Sequence, residues 1–268
     1  MLCRCAGMSR QNYYKQRKVR HKRAFEEQTI LTLVRRERCI QPRLGTRKLH
    51  RLLSKQWSSA GVSIGRDRLF RLLRQHRLLI RRRRRYARTT ESRHGLPVYP
   101  NRFKQAVLTG PNQAWVSDIT YLRSRQGFMY LSLVMDAFSR KIVGYNCSDR
   151  LESEGALRAL SMALVQLPVG AELIHHSDQG CQYCSGRYIK RLLKRNITIS
   201  MTEENHCYEN SQAERLNGIL KQEYGLGRVF LRKFDVGTAV REAVELYNNR
   251  RPHVALDYRL PGQVHAAA

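Results

Sequence analysis

At 268 residues and 42% hydrophobic, the chain is long enough to bury one sizeable core and to leave material for a second, smaller module. Its formal net charge of +29 is tolerated best by a protein whose partner is a polyanion. No run approaches the roughly 20 apolar residues of a membrane-spanning helix, and seven scattered cysteines with no secretory signal ahead of them point away from a disulfide framework and towards a reduced compartment.

The charge is unevenly placed. Residues 1–104 hold 30 Lys and Arg against 5 Asp and Glu, whereas the remaining 164 hold 20 against 16. A basic module joined to a near-neutral body is expected, with boundaries at 1–80 for a basic helical region, 81–111 for an Arg- and Pro-containing linker, and 112–268 for a core with a C-terminal helix and tail. A basic structural protein of chromatin type does not fit a neutral body of this kind.

From Arg10 to Arg23, Lys and Arg mix with Tyr13 and Tyr14 without apolar periodicity, and the segment is expected to order only on nucleic acid. A first helix is predicted over Ala24 to Arg38, where Ile30, Leu33 and Val34 recur at helical spacing. Two more follow, Thr46 to Trp57 with Leu49, Leu52, Leu53 and Trp57 on one face, and Arg66 to His76 with Leu69, Leu72 and Leu73 on one face. Their outward faces carry Arg47, Lys48, Arg51, Arg66, Arg68 and Arg71 with few acidic partners, as a helix pair lying along DNA phosphates requires. A solvated charged face is the blander reading. Arg81 to Arg85 open the linker, which continues through Pro97, Pro100 and Pro111.

Beyond Pro111 the texture becomes β-rich. Strands are predicted at Ala114 to Leu122, Phe128 to Phe138 and Lys141 to Cys147, forming an antiparallel meander. A helix at Ser153 to Gln166, a strand at Glu172 to His176, a helix at Gly186 to Arg195, a strand at Ile197 to Ser200 and a helix from about Glu209 to Tyr224 complete a mixed α/β sheet.

Three carboxylates stand out in this frame. Asp118 interrupts an otherwise half-buried strand, where a carboxylate needs a partner. Asp178 follows the C-terminal end of a short strand, the end at which open α/β sheets collect functional groups, although a turn-forming Asp before Gln179-Gly180 is its plain alternative. Projected at roughly 100° per residue, Asn210, Glu214, Asn217 and Lys221 share one sector of the last helix, beside the apolar stripe Ala213, Leu216, Leu220 and Tyr224. Glu223 falls on the other side of that stripe. Two Asp and one Glu supply the hard oxygen ligands that Mg²⁺ prefers, and a pair of such ions about 4 Å apart promotes in-line phosphodiester chemistry. Cys181 and Cys184, with His175, His176 and His206, form a zinc alternative that lacks a second spaced ligand pair. Asp136 reads as a structural residue ending a strand.

Several of these stretches resemble the integrase core of retroviral integrases and bacterial insertion-sequence transposases, the DDE superfamily with an RNase H-like fold. Trp115-Val116-Ser117-Asp118-Ile119-Thr120-Tyr121 resembles its first-aspartate strand, Met135 to Gly144 the strand pair that follows, and His176-Ser177-Asp178-Gln179-Gly180-Cys181-Gln182-Tyr183 its second-aspartate turn. Asn210-Ser211-Gln212-Ala213-Glu214 with Lys221 resembles the glutamate helix, with the family's interval of 35 residues between Asp178 and Glu214. Tyr247-Asn248-Asn249-Arg250-Arg251-Pro252-His253 and Leu260-Pro261 resemble the ending of transposases encoded in two overlapping frames, and Pro42 through Leu79 their helix-turn-helix-like segment.

The resemblance implies an RNase H-like mixed sheet, three antiparallel strands followed by β/α units, behind a small basic all-α domain. It implies a second-frame transposase with Asp118, Asp178 and Glu214 as catalytic metal ligands, two Mg²⁺ ions with Mn²⁺ as substitute, and Asn210, Lys221 and the helical arginines on DNA. The expected reaction is cleavage at transposon ends and strand transfer by the freed 3′-hydroxyl. Expected partners are transposon ends and target DNA, further copies of the chain, and a first-frame helix-turn-helix protein or fusion, in the bacterial cytoplasm at the nucleoid. A non-catalytic DNA-binding regulator and a cleavage-only metal nuclease are the alternatives.

Overall fold

In the computed structural model, residues 7–80, 95–203 and 209–267 are described. The chain divides into two units, Met1–Arg82 and Arg83–Ala268. The run Arg81 to Arg85 and the first part of the expected linker, through residue 94, lie outside the described residues.

Among the described residues the first unit holds three helices, α1 (Arg10–Ile40), α2 (Thr46–Ser59) and α3 (Arg66–Gln75). Helix α1 starts well before the predicted Ala24. Ser9 accepts a hydrogen bond from the Asn12 amide at its N-terminus, and no Gly or Pro occurs between Ser9 and Pro42, so a run of good helix formers propagates outward from the packed half. The expectation that Arg10 to Arg23 stays unordered without nucleic acid is therefore corrected. These residues are almost all exposed; Ile30, Leu31 and Val34 are the part of α1 that joins the core with Leu49, Leu53, Trp57, Leu69, Leu72 and Leu73. Gln41 ends the helix by donating from its backbone and its side chain to Glu37.

In the second unit, β1 (Ala114–Ser124), β2 (Gly127–Asp136) and β3 (Ile142–Ser148) form the antiparallel meander, and β4 (Ile174–Ser177) and β5 (Thr198–Met201) add in parallel on the other side of β1. The sheet order is β3-β2-β1-β4-β5, and a two-residue strand β6 (Val229–Phe230), which the sequence did not announce, pairs with the far end of β1. Helices α4 (Ser153–Gln166) and α5 (Gly186–Leu193) pack on one face around Trp115, Val134 and Leu160; α6 (Ser211–Glu223) and α7 (Lys233–Asn249) pack on the other around Val116, Leu133 and Leu220. Gly144 lets α4 approach the sheet, because a Cβ there would lie 2.1 Å from the Ala159 carbonyl oxygen. Strand β2 stops at Asp136, two residues before the predicted end, because its buried carboxylate turns back to accept from the Asn112 and Ser139 amides and the Ser139 hydroxyl. Residues 95–111, read as the end of a linker, run against this unit: Phe103 packs its ring 5.0 Å from that of His176, and Tyr99 and Leu108 join the two cores.

The C-terminal segment ties α6 to α7. Asn248 exchanges two hydrogen bonds with the Ile142 backbone, at 2.9 and 3.0 Å, closing the edge of β3. Arg251, only 2% exposed, makes a two-pronged ion pair with Glu223 at 2.8 and 2.9 Å and lies 5.6 Å from the Tyr247 ring centre. Glu223 is thus occupied in holding the end of α6 to the segment after α7. Removing the carboxylate strands a fully buried cation, whereas removing Arg251 leaves a partly solvated carboxylate. Glu223→Gln should cost about 3 kcal/mol in urea denaturation and Arg251→Met distinctly less; equal losses would contradict the assigned asymmetry.

Candidate active site

Strand β1 is flanked by β2 along its whole length but by β4 only at its start, where Ala114, Trp115 and Val116 pair with Ile174, His175 and His176. Carried two residues further, the same offset sets Asp178 beside Asp118, just where β4 has ended. Here β1 has an open edge. Asp178 is held in a tight turn by the Gly180 amide, which donates to its Oδ1 at 3.1 Å. A Cβ at position 180 would crowd that oxygen at 3.0 Å and Gln182 Oε1 at 3.3 Å, so a larger residue there would press on the Asp178 side chain.

The glutamate helix reaches the same place from the opposite direction. Asn210, buried at its start, donates to the Ser117 carbonyl at 3.1 Å, and Asn217 donates to Asp118 Oδ2 at 2.6 Å. These amides pin α6 to β1 one turn before and one turn after Glu214, whose side chain stands exposed between them. Lys221, a turn further on, is half-buried; burial lowers its pKa while the Asp118 charge raises it.

Asp118 is half-buried and accepts from the Ile119 amide at 2.8 Å as well as from Asn217. Burial, then the charge of Asp178, and more weakly that of Glu214, push its pKa up to about 7. The three sequence-predicted carboxylates are therefore brought within electrostatic reach of one another. Among the described residues no three acidic, imidazole or thiol side chains are already drawn together as a metal cage would draw them; a shared cation would have to pull the exposed Glu214 inward. The donor set fits such an ion, being all oxygen and carrying a like-charge repulsion that a divalent cation relieves.

The neighbouring histidines have other employment. His175 shares Nε2 with the Ser117 hydroxyl at 2.8 Å and the Tyr188 hydroxyl at 2.9 Å, and His176 bonds Ser200 at 2.9 Å. Burial lowers them to about 3 and about 4 respectively, so both are neutral at physiological pH. Cys184 is buried with its thiol 3.7 Å from the Met201 sulfur and Cys181 is exposed, while His206 lies outside the described residues. Tyr183, whose buried hydroxyl has no hydrogen-bond partner among the described residues, feels the charges of both Asp118 and Asp178. Nothing in the local pattern marks this residue beyond its place in the second-aspartate turn. The role of Asn217 was partly visible, as a member of the Glu214 sector.

Of the remaining residues expected on DNA, Arg47, Arg51, Arg66 and Arg71 are exposed on the helical unit, Lys48 is half-buried, and Arg66 pairs with its neighbour Asp67 at 2.9 Å. Arg68 points to Glu26 and Glu27 of α1, at 3.6 and 3.7 Å. Asn210, also expected on DNA, is buried and donates its amide to the Ser117 carbonyl.

Two stretches, residues 109–207 and 195–261, match families described as integrase core domain. Over 259 residues the chain is 34% identical to the insertion element IS600 uncharacterized 31 kDa protein of Shigella sonnei, covering 95% of this chain and 94% of that one. Over 183 residues it is 36% identical to transposase InsF for insertion sequence IS3A of Escherichia coli strain K12, spanning 68% of this chain and 64% of that protein. The chain belongs to the insertion-sequence transposases with an integrase core. For this transposase-family chain the fold likeness extends to the simian T-cell lymphotropic virus intasome in complex with PP2A regulatory subunit B56 gamma, at 19% identity and a TM-score of 0.51, covering 82% of this chain and 74% of that one. The RNase H-like mixed sheet expected from the sequence is thus present, behind an all-helical N-terminal region. Among the described residues no helix is long and apolar enough to cross a membrane.

The raised Asp118 value has a definite sign. The metal-free folded chain keeps a proton that the unfolded chain has released, so the penalty is absent below about pH 4 and grows as pH rises through about 7. Without divalent metal, Asp118→Asn should raise stability at about pH 8 by roughly 2 kcal/mol, with the gain vanishing near pH 4. Urea midpoints at the two pH values check it, and equal midpoints for parent and variant at the higher pH would refute it.

Proposed function

We propose that this chain is a DNA transposase that cleaves phosphodiesters at transposon ends and joins the freed 3′-hydroxyl to target DNA. The observation that carries the reading is the convergence of Asp118, Asp178 and Glu214, from a strand, a turn and a helix, on the open edge of β1 in a chain of this family. Asp118, Asp178 and Glu214 would hold divalent cations, Mg²⁺ or Mn²⁺. When bound, a pair of such ions supplies charge stabilisation for the scissile phosphate and activates the attacking oxygen.

The protein's own share of the work is positional. Asn217 and the Ile119 amide fix the orientation of Asp118, the Gly180 amide fixes Asp178, and Asn210 fixes the height of Glu214 on the sheet. Lys221, close enough to Asp118 to feel its charge, is suited to a non-bridging phosphate oxygen of the same substrate. In the first step a water oxygen bonds to phosphorus as the P–O3′ bond breaks, leaving a 3′-hydroxyl on the transposon. In the second that hydroxyl bonds to a target phosphorus and a target 3′-hydroxyl leaves, so one phosphodiester replaces another without a covalent protein intermediate. The exposed Arg47, Arg51 and Arg71 of the helical unit would grip duplex phosphates, and homo-oligomer action on paired ends is part of the same reading.

Cleavage and joining of labelled end oligonucleotides, including pre-cleaved ones, test this directly. Glu214→Gln should bind ends as the parent does but lose both steps by on the order of a thousandfold. Cleavage by the parent without joining of pre-cleaved ends would reduce the activity to that of a nuclease, and equal activity of the variant would remove Glu214 from the site. The grip is tested separately by salt titration: Arg47→Gln with Arg51→Gln should lower the slope of log affinity against log salt by about 2, whereas an unchanged slope would place DNA elsewhere.

A further inference from the structure

The end of the sheet beyond α4 carries an aromatic cluster that the proposed chemistry does not use. In the β1–β2 register Tyr121 faces Tyr130 and Arg123 faces Phe128, all on the face that further along packs Trp115 and Val134 against α4 and α5. The Tyr121 ring stands edge-on to both others, 5.1 Å from Tyr130 at 70° and 6.2 Å from Phe128 at 90°. Phe128, beside the β1–β2 hairpin turn, is 47% exposed, and the exposed Arg123 holds its guanidinium 5.7 Å from the Phe128 ring centre. The helix that could have covered the rings starts too far along: Gly155, in its first turn, already lies against Ser148, the β3 partner of Tyr130.

The cluster neighbours the second-aspartate turn. Tyr121 lies on the face of β1 opposite to Asp118, and its phenol is held above the ordinary value by burial first, then by Tyr130, Cys181 and Asp178. An exposed ring beside an arginine, backed by two half-buried rings, suits an unpaired nucleobase and its phosphate, whereas duplex bases, already stacked, have no free face to offer.

We infer that Tyr121, Phe128 and Tyr130, with Arg123, form a stacking platform for an unpaired base at the end of a DNA strand, beside the Asp178 turn. This rests on the reading that the chain acts on DNA, but not on its chemistry. The platform gives preference for frayed or overhanging ends over blunt duplex.

The test uses the full chain in a Glu214→Gln background without divalent metal, so binding is read apart from cleavage. The probes are a short single-stranded oligonucleotide with a fluorescent adenine analogue and blunt and overhanging duplexes of the same sequence. The parent should bind the single strand and the overhang with quenching of the analogue. Phe128→Leu combined with Tyr121→Leu should weaken both by on the order of tenfold and abolish the quenching, with blunt-duplex affinity unchanged. Phe128→Trp, which restores a ring, should keep the preference and separates stacking from loss of fold. Equal weakening on blunt duplex, no weakening, or a parent that does not distinguish the probes overturns the platform. Failure of end cleavage and joining, with the preference intact, would instead count against the transposase chemistry alone.

Discussion

Like charges at the edge of a packed sheet repel, and the geometry of the second unit is organised around tolerating that repulsion at Asp118. The residue is central in a strand, half-buried, and faces two other carboxylates, so its ionised form is disfavoured by burial and by Asp178 and Glu214 together. Two hydrogen bonds, from the Ile119 amide and from Asn217, offset part of this. What is left is a concentration of negative charge with Lys221 close enough to Asp118 to feel it. In the proposed reading such an arrangement gives up stability in return for affinity for a cation.

The scaffold around the site has to be stiff for that to hold. Parallel addition of β4 to β1 sets the spacing of the two aspartates through the ladder itself. The glutamate helix has no such ladder and is fixed by side chains: Asn210 and Asn217 at the sheet, Arg251 with Glu223 at its far end. Asn248, gripping Ile142, ties the segment that carries Arg251 back to the meander. The motif around Arg251 thus acts at a distance, by keeping α6 from drifting along the sheet, and this explains in physical terms why Glu223 is no alternative to Glu214.

Much of this was legible in the sequence. Periodicity and turn residues place α4 at Ser153–Gln166 and find the meander and the β/α units within a few residues. The interval between Asp178 and Glu214 and the polar sector of α6 mark the site. Local pattern misses what depends on partners far along the chain. The first half of α1 buries nothing and so has no periodicity to read, although its composition and its Ser9 cap favour helix. Strand β6 is two residues long and exists only because β1 offers it an edge. Asn210 looks like a free polar residue at a helix start until Ser117 is seen opposite it. Tyr121, Phe128 and Tyr130 read as ordinary strand aromatics; only the point at which α4 begins leaves them uncovered.

In the proposed reading Asp118, Asp178 and Glu214 form one cation site. Anomalous scattering from crystals of the full chain soaked in Mn²⁺ tests it most directly. Manganese peaks bounded by oxygens of all three side chains, with Glu214 drawn in from solvent, are the predicted result. Manganese that binds only elsewhere, or a saturated crystal in which Glu214 stays out in solvent away from any peak, would contradict it.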